Sequence, residues 1–201
     1  LRRACRADTK PASFSPAELP KMTDSPEISF NHITNERFLA DIEAVACQIE
    51  RSDWRPDYIV GIGRGGLVPG AFLSHRTGIP LLSIDHSSKV EAFAQRLLIH
   101  LAGCSEAGER FLFIDDINDS GKTIVHFRDT VRDNGNPANV RFAALVNNRS
   151  SCTTVDYFSW SIDRTVDKDW FVFPWEAVAP KATVAAEALE DPDRLGLHGG
   201  L

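Results

Sequence analysis

Along the chain, apolar positions fall into short blocks whose spacing switches between helical and strand-like. Phe38, Ile42, Val45 and Ile49 recur at steps of four, three and four residues, the pattern of an amphipathic helix over residues 34–50. Thr34 or Asn35 can cap its start. Residues 57–62 then read as a first buried strand, residues 67–77 as a helix stopped by Gly78, and residues 79–84 as a second strand. Phe93, Leu97 and Leu101 suggest a helix within an otherwise polar interval. Phe111 to Ile114 is an apolar run too short for a helix, hence a strand, and Ile124, Phe127 and Val131 return to helical spacing until Asn134-Gly135. Residues 140–146 form another apolar strand, residues 155–160 a shorter one, and residues 181–190 a last helix. Buried strands alternating with helices predict an α/β protein built on an open, mostly parallel twisted sheet flanked by helices.

Chemistry concentrates where the strand at 111–114 gives way to the next helix. The order there is Asp115-Asp116-Ile-Asn-Asp119-Ser120-Gly121-Lys122-Thr123. Ligands of open α/β sheets bind at the carboxyl ends of strands. Ser120 to Thr123 would present backbone N–H groups and hydroxyls at a helix start, which favours a phosphate. Asp115 and Asp116 would repel that phosphate, so they suit hydroxyls such as a ribose diol, or a divalent cation. Together these demands describe a ribose 5-phosphate ligand, with Asp119 placed to handle a proton. A nucleotide P-loop is excluded: it needs a Gly five residues before Gly121, and Asp116 stands there. The plain alternative, an acidic solvated turn before an ordinary helix, explains the charges but not the whole ordered set.

A second loop, Gly61-Ile-Gly63-Arg64-Gly65-Gly66, has G-x-G-x-x-G spacing between a strand and a helix, with Asp85 about twenty residues on. That matches a dinucleotide fingerprint on paper. Arg64 puts a bulky cation where the fingerprint wants close backbone approach, and a nicotinamide fold leaves the acidic turn unexplained.

Composition narrows the classes. A length of 201 residues fits one domain with tails, and 43% hydrophobic and 25% charged residues are ordinary for a globular chain. A net charge of −6 disfavours a nucleic-acid surface. No apolar run has transmembrane length, and no signal-peptide core is visible, so no membrane partner is expected. Cys5, Cys47, Cys104 and Cys152 are scattered without zinc-site pairing, as expected of reduced thiols in a cytoplasmic protein. Residues 1–25 are rich in Arg, Lys, Pro and Ser, and read as a disordered or loosely attached arm. Leu1 opens the chain and Met22 is its one Met, a candidate start.

The acidic turn resembles the phosphoribosyl-pyrophosphate (PRPP) motif of type I phosphoribosyltransferases: apolar strand, two acids, two variable residues, then Asp-Ser/Thr-Gly-x-Thr. Arg64-Gly-Gly-Leu-Val-Pro69 is similar to the pyrophosphate loop of the purine members. Trp170-Phe171-Val-Phe173-Pro-Trp175-Glu176 resembles the hood segment of the xanthine-guanine/hypoxanthine-type enzymes. The resemblance covers about residues 34–180, within a domain at 26–180 that includes a small hood from about 147–176; residues 181–201 form a C-terminal helix and frayed tail.

The resemblance implies transfer of ribose 5-phosphate from PRPP to a guanine-, xanthine- or hypoxanthine-class base, with Mg²⁺ and release of pyrophosphate, by a homo-oligomer. In that scheme Asp115, Asp116, Asp119, Ser120, Gly121, Lys122 and Thr123 bind PRPP. Asp115 and Asp116 meet the metal directly or through water or ribose hydroxyls. Asp119 accepts or orients the proton on the purine's imidazole ring. Arg64, Gly65 and Gly66 bind pyrophosphate, and the Arg64–Gly65 peptide bond is expected to be cis. Trp170 stacks on the base and the Phe171 backbone reads its edge; the competing reading makes Trp170, Phe171 and Phe173 core or dimer-contact aromatics. Glu176 either assists a metal or is simply exposed. Part of residues 85–109 forms a catalytic lid or an ordinary connecting helix.

One departure matters. Members that bind 6-oxopurines usually carry a Lys after the strand matching residues 140–146, and here Asn147 and Asn148 fill a polar turn, Asn148 nearest the Lys position. An Asn amide can donate to a 6-oxo group or accept from a 6-amino group. That substitution keeps open a non-catalytic protein of the same fold that senses PRPP or a nucleotide.

Overall fold

The structure is a computed structural model, and it describes residues 28–85 and 91–190. The expected arm over residues 1–25, the polar stretch 86–90 and the tail from 191 lie outside the described residues.

Five parallel strands form the main sheet: β2 (Tyr58–Ile62), β3 (Leu81–Ile84), β4 (Phe111–Asn118), β5 (Val140–Asn148) and β6 (Tyr157–Ile162), in the spatial order β3-β2-β4-β5-β6. Two further short strands, β1 (Phe30–His32) and β7 (Trp170–Val172), pair in parallel away from it, Phe30 opposite Trp170. The helices are α1 (Asn35–Arg51), α2 (Gly63–Thr77), α3 (Glu91–Glu106), α4 (Lys122–Asn134) and α5 (Lys181–Glu190). The α/β expectation stands.

The apolar runs of the strands are continuous because both faces of the sheet are covered. Alternation along each strand feeds two cores. Leu112 and Ile114 of β4, with Ile59 and Leu145, pack under Phe38, Ile42, Val45 and Ile49 of α1 and Leu73 of α2. Phe111 and Phe113, with Val60 and Phe142, pack under Leu98 and Leu101 of α3 and Ile124, Phe127 and Val131 of α4. Phe113 stacks on Phe142 and meets Phe127 edge-on, an arrangement that matches the ring quadrupoles.

α1 begins where its cap residue stands, the Thr34 hydroxyl accepting from the Arg37 N–H at 3.2 Å. Its one buried acid, Asp41, ties the helix to the edge strand: Ser159 Oγ donates at 2.6 Å, Trp160 Nε1 at 3.2 Å and Arg37 Nε at 2.9 Å. Asp41→Ala would strand those donors, at a cost of about 1–3 kcal/mol. The urea midpoint of unfolding should fall accordingly, with the slope unchanged.

Several boundaries differ from the sequence expectation, the strand expected at 155–160 running from Tyr157 to Ile162 among them. β4 and β5 run on through Asn118 and to Asn148, so Asn147 and Asn148 are not in a turn. Asn118 and Asn147 are paired across the ladder, Asn118 Nδ2 donating to Asn147 Oδ1 at 2.8 Å, which lets amides stay in a buried strand end. α2 starts at Gly63 rather than Leu67 because Gly63, at φ +57°, turns strand into helix within one residue. Among the described residues no helix is long and apolar enough to cross a membrane.

Candidate active site

The strand order places the site. α2 carries the chain from β2 outward to β3, and α4 carries it from β4 to β5 on the other side. The winding therefore reverses between β2 and β4, which are hydrogen-bonded neighbours. A crevice opens at their carboxyl ends at such a switch point. Both loops singled out in the sequence end there.

They touch. A Cβ on Gly65 would lie 2.6 Å from Asp116 Oδ2, and one on Gly66 would run into the Ile114 carbonyl oxygen. Glycine at 66 is thus a requirement of close approach between the first turn of α2 and the backbone of β4, and a side chain at 65 would displace the Asp116 carboxylate. Arg64 stands exposed in the same turn. The Arg64–Gly65 bond is trans, there being no cis peptide among the described residues, so the cis expectation is corrected. The positive φ of Gly63 provides the sharp turn instead.

Asp115 and Asp116, both half-buried, point their carboxylates at backbone: Asp115 Oδ1 accepts from the Asp116 N–H at 3.0 Å, and Asp116 Oδ1 from the Ile117 N–H at 2.7 Å. Gly121 follows in the left-handed region at φ +85° and forms the N-cap of α4; it has no side chain to cap the helix, and the Ser120 hydroxyl accepts from the Lys122 N–H at 3.4 Å. The first-turn N–H groups have no intrahelical acceptor, as at any helix start. Lys122 and Ser120 are exposed and Thr123 is half-buried. The irregular crossover at 149–156 backs this turn: Cys152 N–H donates to the Ser120 carbonyl at 3.1 Å, and a Cβ on Gly121 would meet Cys152 Sγ at 2.9 Å.

Asp119 is 7% exposed and lies against Arg164, itself 8% exposed. Arg164 Nε donates to both carboxylate oxygens at 3.1 Å, with Nη2 3.0 Å from Oδ2. Asn148 completes the group, its Nδ2 donating to the Asp119 carbonyl at 3.0 Å while its Oδ1 accepts from Ser150 Oγ at 2.8 Å and the Arg164 N–H at 3.1 Å. The buried Asn148 side chain is thereby engaged with protein groups, its Nδ2 also lying 3.5 Å from Asp119 Oδ1, rather than standing open for the base-reading role expected of it. Its place is beside Asp119, holding it. Arg164 was not legible as a site residue. It is one Arg in a polar turn, and only the neighbouring Ile162 hints that the segment folds inward.

The aromatic segment divides. Phe171 is buried, edge-on to Trp160 at 5.4 Å and lying under the Arg164 guanidinium at 5.0 Å. Phe173 stacks on Trp175, which meets Phe38 of α1, so these two are core. Trp170 is half-buried at the start of β7. Glu176 Oε2 accepts from the Phe173 N–H at 2.7 Å, the reciprocal bond of a helix start.

No group of three metal-ligating side chains occurs among the described residues. Mg²⁺ needs none when it arrives with a polyphosphate, since it then takes one or two carboxylates and keeps the rest of its shell as water and phosphate oxygen. Asp115 and Asp116 are consecutive in β4, so their side chains leave opposite faces of the strand, and a single one of them is enough for that donor set.

A family model described as "Phosphoribosyl transferase domain" matches residues 30–180, a span that takes in both loops, the Asp119–Arg164 pair and the aromatic segment. Among solved structures, a purine phosphoribosyltransferase from Pyrococcus horikoshii is 25% identical, covers 76% of this chain and 97% of its own, and has a TM-score of 0.56. A xanthine-guanine-hypoxanthine phosphoribosyltransferase from Helicobacter pylori is 19% identical over 82% of this chain and 99% of its own, with a TM-score of 0.56. A hypothetical protein from Neisseria gonorrhoeae with bound ppGpp is 15% identical over 82% and 98%, with a TM-score of 0.58.

Proposed function

We propose, from the premise that the chain belongs to the phosphoribosyl transferase domain family, that it moves the ribose 5-phosphate of PRPP onto a purine base and releases pyrophosphate. The observation that carries the reading is the meeting of two loops at the switch point. The helix start at Gly121 follows the two acids in the chain, and Gly65 of the other loop comes up against Asp116.

The 5-phosphate of the sugar would accept from the N–H groups of Gly121 to Thr123, aided by the helix dipole. Asp115 and Asp116 would take the ribose diol. Departure of pyrophosphate leaves positive charge on the sugar carbon, and the Arg64–Gly66 turn would stabilise the departing anion. Mg²⁺, when bound with PRPP, would neutralise part of the charge on that leaving group. Asp119 would accept or orient the proton of the purine's imidazole ring.

The base class is carried from the Pyrococcus horikoshii protein, which its name gives as a purine enzyme, and 6-oxopurines are the preferred members by the resemblance of the 170–176 segment. Trp170 would stack on the purine, and stacking a base on an aromatic ring is worth about 1–3 kcal/mol. Trp170→Ala should therefore raise the KM for the base roughly 5- to 150-fold and leave that for PRPP nearly unchanged.

A second reading has its own observation. Arg164 already neutralises Asp119, an arrangement that suits a PRPP or nucleotide sensor that does no chemistry. Incubation with PRPP, Mg²⁺ and each purine separates the two: pyrophosphate released only when a purine is present supports the transferase, and tight PRPP binding without release supports the sensor.

A further inference from the structure

Three charged side chains are buried among the described residues: Asp41, Asp119 and Arg164. Asp41 is accounted for by the bond of α1 to β6. The other two form one pair, and a buried pair is costly to desolvate and often replaceable by apolar residues without loss of stability. Closing the turn at 163–169 therefore does not by itself call for a guanidinium.

What the guanidinium does is span two parts of the site. Its Nε sits across the Asp119 carboxylate at the exit of β4, while Nη1 donates to the Asp169 carbonyl at 2.6 Å and the Asp167 carbonyl at 3.3 Å. Asp169 immediately precedes Trp170. The Arg164 backbone N–H is fixed on Asn148, and its Cζ lies over the Phe171 ring. One planar, rigid fork thus joins the acid to the segment that carries the base. Lys offers a point charge on a flexible stem and cannot hold both ends.

We propose that Arg164 is a positioning residue that sets the distance between Asp119 and the 170–171 segment, so that a bound base meets the sugar carbon in one geometry. This rests on the transferase reading above. Small misplacements at a reacting centre are costly, on the order of 10²-fold for 1 Å. The inference predicts an asymmetry that a merely structural latch would not produce: base binding and turnover suffer far more than PRPP binding, because the bonds of Arg164 run to Asp119, Asn148 and the 167–169 segment and not to Asp115, Asp116 or the helix start proposed for the diol and phosphate.

The test is steady-state kinetics of the full chain with Arg164→Lys and Arg164→Gln, varying purine and PRPP separately, with PRPP binding measured by calorimetry. Arg164→Lys should lose on the order of 10- to 100-fold in kcat and raise the KM for the base, and Arg164→Gln should lose more. PRPP affinity should stay within about threefold in the Lys variant, which keeps the buried charge paired even where the Gln variant folds poorly. An Arg164→Lys enzyme equal to wild type, or one whose two KM values rise together, overturns the inference while leaving the transferase reading intact. A wild-type protein that releases no pyrophosphate with any purine overturns both.

Discussion

Asp119→Asn is expected to lower turnover by about 10²–10⁴-fold, the range of a positioned acid–base group. The same substitution should cost about 3 kcal/mol of stability, because it leaves the Arg164 guanidinium buried with its countercharge removed. The two effects are separable. Turnover is measured below the onset of unfolding, with the folded fraction fixed by circular dichroism, and stability by urea titration. Near-normal turnover in folded Asp119→Asn would remove the proton role. Unchanged stability would mean that the pair with Arg164 contributes little to the fold.

Gly66→Ala should be the most damaging single methyl at the site. Its Cβ would collide with the Ile114 carbonyl oxygen, inside the ladder joining β2 to β4, and no side chain stands between the two that could swing aside. Overpacking of a core costs about 1–3 kcal/mol, and more where only backbone can yield, so Gly66→Ala is expected to lose at least about 3 kcal/mol. The neighbouring Gly65→Ala makes the contrast. There the nearest atom is the Asp116 carboxylate at 2.6 Å, the end of a side chain. Gly65→Ala should fold and melt close to wild type, with weakened PRPP binding because Asp116 is pushed aside. Equal melting temperatures for the two variants would refute the distinction.

Much of the architecture was legible because it is written in local spacing. The steps between Phe38 and Ile49 marked α1, and the short runs at 111–114 and 140–146 marked the central strands. The acidic segment drew attention because each residue type there answers to one part of a sugar phosphate, but its two leading acids, Asp115 and Asp116, lie inside β4 rather than in a turn. What escaped was long-range or conformational. The Asn118–Asn147 bond, which keeps two amides inside strands, joins residues 29 apart, and the Arg164–Asp119 pair joins residues 45 apart. No periodicity encodes either. A polar residue near a strand end reads as turn until its buried partner is known, and Asn148, whose partner is Asp119, is such a residue. The early start of α2 depends on Gly63 taking a positive φ, and sequence shows only that glycine is free to do so.

The central claim is that the helix start at Gly121 and two neighbouring acids together hold a ribose 5-phosphate. A crystal structure of the protein soaked with PRPP and Mg²⁺ tests it most directly. The account predicts the 5-phosphate on the N–H groups of Gly121 to Thr123 and the ribose hydroxyls on Asp115 and Asp116. Density for the sugar elsewhere, or a filled site with both carboxylates turned away from the ligand, would contradict it.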